Sequence, residues 1–79
     1  MVSKKYVPRA SDLAWTKNMI ECMNDGGVWG VPMNGQVYKF DKVNKELNLI
    51  EGKVDDMFNK IAVNFSYFGY KVNDKRISK

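Results

Sequence analysis

The chain has 79 residues, 44% of them apolar, with two tryptophans, four tyrosines and four phenylalanines, a formal net charge of +4 and one cysteine. A chain of this length forms one domain and buries roughly 60% of the surface it exposes when unfolded, so its core is small. Cys22 alone excludes an intrachain disulfide and fits a reducing setting, and no apolar run approaches the roughly 18 residues that suggest a membrane span.

The charge is unevenly spread. Residues 1–10 carry Lys4, Lys5 and Arg9 with no acid, and residues 71–79 carry Lys71, Lys75, Arg76 and Lys79 against Asp74. The segment between them is slightly acidic. A basic balance invites a nucleic-acid reading, and here that reading falls on the two ends.

Residues 1–10 read as an extended arm, because Pro8 lacks a backbone donor and turns Val7 away from helical angles. A first helix is expected from Ser11, an N-cap residue type, with Asp12 in its first turn. Its apolar stripe would be Leu13, Trp15, Met19, Ile20, Cys22 and Met23, and Asn24-Asp25-Gly26-Gly27 would end it. Cys22 on that stripe reads as a small buried hydrophobe.

The segment Val28–Asp41 reads as a hairpin about Asn34-Gly35, since a type I′ turn needs positive φ at both central positions. That loop pairs Val31 with Tyr38 and Trp29 with Phe40. A second tight turn at Val43-Asn44 sets Phe40 opposite Leu47 and Tyr38 opposite Leu49. Both turns put the same residues on one buried face. A second helix follows, with Val54, Met57, Phe58, Ile61, Ala62, Phe65 and Phe68 at helical spacing, Asp55 and Asp56 at its start, and Gly69 as the residue after its C-cap. Tyr70-Lys71-Val72 reads either as a short fourth strand or as chain leaving the domain.

The expected fold is therefore α+β: helix, three-stranded antiparallel meander, helix. Both helices would cover the face lined by Trp29, Val31, Tyr38, Phe40, Leu47 and Leu49. The expected organisation is a basic arm over 1–10, one domain over 11–72 and a basic tail over 73–79.

The chain contains no histidine, so the commonest general base and metal ligand is missing. Asp55 and Asp56 diverge by about 100° on a helix and suit the helix dipole better than a cation. Asn24–Gly27 runs from helix to strand, the reverse of a phosphate loop. A non-enzymatic protein with no cofactor and no metal is expected. The α-β-β-β-α order resembles the double-stranded-RNA-binding domain in topology only. That family carries a lysine cluster at the start of its second helix, where this chain has Asp55 and Asp56, so the chain is not assigned to it.

Two functions remain. The first is a small accessory nucleic-acid-binding protein holding DNA or RNA through Lys4, Lys5, Tyr6, Arg9, Lys71, Lys75, Arg76 and Lys79, with Tyr6 stacking on a base. The second is a protein-binding module, or a self-associating one, using Val28, Pro32, Val37 and Ile50 on the uncovered sheet face. The preponderance of lysine over arginine suits a phage, virus or mobile element of AT-rich coding, and a cytoplasmic or virion-interior setting.

Overall fold

A computed structural model describes residues 6–76. It contains α1 (Ala10–Cys22), β1 (Val28–Val31), β2 (Gln36–Asp41), β3 (Glu46–Glu51), α2 (Asp56–Tyr67) and β4 (Lys71–Asp74). The fold is α+β, with two helices and a four-stranded mixed sheet in the order β1-β2-β3-β4. No helix of the described residues is long and apolar enough to cross a membrane.

The first three strands form the expected antiparallel meander, but its first turn differs. Trp29 pairs with Tyr38 and Val31 with Gln36, so the loop is Pro32–Gly35 rather than Asn34-Gly35 alone. Pro32 is the cause. Its ring presets the φ of the second position of a type I turn, and that turn closes with Asn34 N–H donating to Val31 O at 3.3 Å. Within the loop only Gly35 has a positive φ, +69°. The register moves by two residues, an even number, so every side chain keeps its face. At the second turn Phe40 pairs with Leu47 and Tyr38 with Leu49, as expected. That turn is held by Asp41, whose carboxylate accepts from both the backbone N–H and the side-chain amide of Asn44, at 2.9 Å each.

Tyr70-Lys71-Val72 does lead into a fourth strand, and the three-stranded expectation is corrected accordingly. β4 runs parallel to β3 and pairs Leu47 with Val72 and Leu49 with Asp74. The pairing is parallel because α2 carries the chain across the sheet between them. Asp55 caps α2 by accepting from Met57 N–H and Phe58 N–H. At the other end Gly69, with φ +84°, lets Tyr70 N–H reach Phe65 O and Gly69 N–H reach Ser66 O, both at 3.0 Å. This closing pattern turns the chain sharply into β4. The boundary expected at residue 72 therefore falls inside a strand.

Both helices pack on one sheet face. Tyr38, Phe40, Leu47, Leu49, Ile61, Phe65 and Tyr70 form the buried core, with Met19, Ile20 and Met23 of α1 and Met57 and Phe58 of α2 against it. The face of α1 differs from the expected stripe. Thr16, Met19, Ile20 and Met23 stand at i, i+3, i+4 and i+7, and Thr16 is fully buried, with its hydroxyl donating to Asp12 O at 2.8 Å. A threonine thus holds the centre of the face, while Trp15 and Cys22 lie on its flank and are exposed.

A second polar side chain joins Thr16 inside. Gln36 is fully buried. Its Oε1 accepts from the Tyr38 hydroxyl at 2.8 Å, and its Nε2 donates to Lys53 O at 2.6 Å and to Asp55 Oδ1 at 3.1 Å. Gly52 passes so close that a Cβ there would lie 2.6 Å from Gln36 Cα. Gln36→Leu strands the Tyr38 hydroxyl and the Lys53 carbonyl, and is expected to cost about 2–4 kcal/mol in urea unfolding.

Burial, and then the Asp55 charge, push the Tyr38 phenol far above its ordinary value of 10.0. The unfolded chain therefore loses this proton first. Stability is full below pH 10 and falls above it by up to about 1.4 kcal/mol per pH unit from this group. Tyr38→Phe is expected to flatten that alkaline decline in denaturation curves recorded across pH.

Candidate nucleic-acid interface

The proposed cationic residues separate into two groups. Lys4, Lys5 and Lys79 lie outside the described residues. At the C-terminal end, Lys71 at the start of β4 and Lys75 just beyond it are exposed. Lys71 N–H donates to Lys45 O and Lys75 N–H to Leu49 O, at 2.9 and 2.7 Å. The backbone of both is thus held to β3 while their side chains face solvent. Arg76 is used differently. Its Nε donates to Asp74 Oδ1 at 2.7 Å, one terminal nitrogen to Asp74 Oδ2 at 2.8 Å and the other to Gly52 O at 3.0 Å. This two-pronged pairing holds the Asp74 carboxyl below its usual range and lifts the guanidinium above its own. The guanidinium serves as a clip between β4 and the β3–α2 connection.

Tyr6 also has an internal role. Its hydroxyl lies 3.0 Å from Asp12 Oδ2 and 3.2 Å from Asn64 Oδ1. A phenol has one proton to give, and the charged carboxylate takes it; turning the Asn64 amide over presents its nitrogen as a donor to the same hydroxyl. Asn64 is buried. Burial and the Asp12 hydrogen bond both raise the Tyr6 phenol, so it stays neutral and pinned. Its ring lies 5.9 Å from Lys60 Nζ, a cation–π distance. Tyr6 therefore fastens the arm to both helices, and both its hydroxyl and its ring are engaged inside the fold.

Trp15, which the apolar stripe of α1 assigned to the core, lies at the surface. It is 42% exposed. Trp15, Trp29 and Tyr38 form a row from surface to core, with ring centroids 5.5 Å apart for the first pair and 5.2 Å for the second, which is stacked. Trp15, Tyr6, Arg9, Asp12, Met57, Lys60, Ile61 and Asn64 line one cleft of about 370 Å³ between α1 and α2. Of these, Arg9 was the one cation foreseen. Lys60 falls outside the apolar stripe of α2, and nothing in the spacing of residues 9 and 60 signals that the fold brings them to one cleft.

Five of the six aspartates are used inside the fold, unlike Asp56, the glutamates and the described lysines. Asp12, Asp25, Asp41, Asp55 and Asp74 each accept internal hydrogen bonds. Every described lysine, and Arg9, is exposed. The Arg76–Asp74 pair is the sole ion pair among the described residues. No cluster of His, Cys, Asp or Glu among those residues could hold a metal ion.

The alternative interface is less continuous than expected. Val28 is 64% exposed on the edge strand β1, and Ile50 is 36% exposed. Val37 is half-buried, and a bulge pairs it with Glu51, leaving Ile50 as the extra residue. Pro32 stands in the turn beyond β1 and is not part of the sheet face.

Comparisons with protein-family models, with curated proteins and with solved structures returned no match. The tether at Tyr6 can be checked directly: Tyr6→Phe removes one hydrogen bond to a charged group and is expected to cost about 1–2 kcal/mol by equilibrium unfolding.

Proposed function

We propose that this chain is a small, non-enzymatic nucleic-acid-binding protein of the accessory kind that phages, viruses and mobile elements use. It would hold phosphate without base-specific contacts. The observation that carries the reading is the unequal use of charge. The aspartates are largely occupied in caps and turns, whereas the described basic side chains other than Arg76 are exposed, with no ion-pair partner among the described residues. Such cations are free to replace the counterions condensed on a nucleic acid. The contact set is Lys4, Lys5, Arg9, Lys71, Lys75 and Lys79, with Tyr6 and Arg76 fastening the segments that carry it.

A second reading, a protein-binding module with no nucleic-acid contact, is favoured by Val28, exposed on a strand with no outer neighbour. A nuclease-resistant protein partner in a pull-down would support it.

A salt titration tests the first reading. Six phosphate contacts at about 0.7 each give a slope of about −4 in log K against log salt on a single strand. The double change Lys71→Gln, Lys75→Gln is expected to reduce that slope by about 1.4. Absence of binding to a mixed-sequence oligonucleotide even at low salt would overturn the reading.

A further inference from the structure

The geometry points to the α1–α2 cleft as the seat of one unpaired nucleotide of a single strand, its base on Trp15 and its phosphate between Arg9 and Lys60. This deepens the nucleic-acid reading and rests on it. Three features combine. First, the cleft volume of about 370 Å³ lies at the lower end of the range for small-ligand sites, about 300–1,000 Å³. Second, Arg9 and Lys60 both line it, both are exposed, and neither has an ion pair among the described residues. The Lys60 ammonium has the Tyr6 ring, a neutral partner, at 5.9 Å. Asp56, one turn earlier on α2, makes no ion pair with it. Third, Trp15 is backed by Trp29 and, behind that, by Tyr38. An exposed indole held from behind is a ready stacking platform, because its orientation is set before a base arrives.

The one carboxylate in the cleft is Asp12. It is occupied by the Tyr6 hydroxyl and faces the Arg9 backbone N–H at 3.4 Å. It therefore belongs to the wall that positions the arm, and a phosphate is drawn to the two cations. A base stacked in a duplex cannot reach Trp15 without unstacking. The cleft therefore selects single strands, whereas Lys71 and Lys75 do not discriminate.

The test uses the full chain, a short oligothymidylate, a mixed-sequence duplex and thymidine monophosphate, followed by tryptophan fluorescence and by direct binding. Oligothymidylate is expected to quench the emission and to bind more tightly than the duplex. Trp15→Ala should weaken oligothymidylate about tenfold or more and duplex less than twofold, about, since the stacking term is absent there. Lys60→Gln, a change at an exposed side chain, should lower the single-strand salt slope by about 0.7, and it supplies the test if Trp15→Ala does not fold. Unaltered single-strand affinity in both variants would overturn the cleft while leaving the general nucleic-acid reading standing. Thymidine monophosphate binding as tightly as the oligomer would overturn the assignment to a strand. Loss of all binding in the unmodified protein would remove both readings together.

Discussion

The arrangement of this domain depends on one buried amide. Gln36 sits at the start of β2, wholly enclosed, and ties the Tyr38 hydroxyl, the Lys53 carbonyl and the Asp55 carboxylate together. Asp55 is at the same time the cap of α2. The first turn of that helix is therefore fastened to the second strand through a single side chain. A buried polar group costs free energy unless its partners are met, and here the four groups satisfy one another only if α2 begins where it does. Gly52, with φ +111°, is the complement of this arrangement. It brings the chain over Gln36 at a distance no side chain would tolerate.

Once α2 is placed, the remaining geometry follows from it. Its far end feeds Tyr70 under the sheet, stacked on Phe40 with centroids 5.3 Å apart, and from there the chain can only enter β4 beside β3. On its other side Asn64 meets Tyr6, which in turn holds Asp12 of α1. The cleft is the gap left between two helices fixed to the same sheet. Arg9 caps α1 and Trp15 stands within two turns of it on the same helix, whereas Lys60 comes from α2, so its approach to them is a property of the packed domain.

The charge distribution divides labour by chemistry. Short carboxylates suit caps and tight turns because they reach backbone N–H groups without spending many rotamers. Asp25 and Asp41 do this at the β2–β3 turn, through the Lys42 and Asn44 N–H groups, and Asp55 does it at the start of α2. Lysines are long and strongly hydrated, and they stay in water. Arg76 is the exception. Its planar fork matches both oxygens of Asp74, and it closes the last strand onto Gly52.

Local chemistry by itself determined the elements and the buried side of the sheet. Alternation put Trp29, Val31, Tyr38, Phe40, Leu47 and Leu49 together, and this survived an error in the first turn because the slip was of even length. Asp55 and Gly69 bounded α2 through backbone angles and donors that these residue types supply wherever they stand. Tertiary structure decided what spacing cannot encode. Packing set Thr16 at the centre of the α1 face, where its hydroxyl is satisfied by Asp12 O, and this leaves Trp15 and Cys22 on the exposed flank. β4 formed because α2 returned the chain to an open strand edge. Tyr6 and Arg76 were drawn inward by partners brought near only in the folded chain, Asn64 for one and the Gly52 carbonyl for the other. Periodicity reports which way a side chain faces on its own element, and the neighbour it meets there is set by how the elements pack.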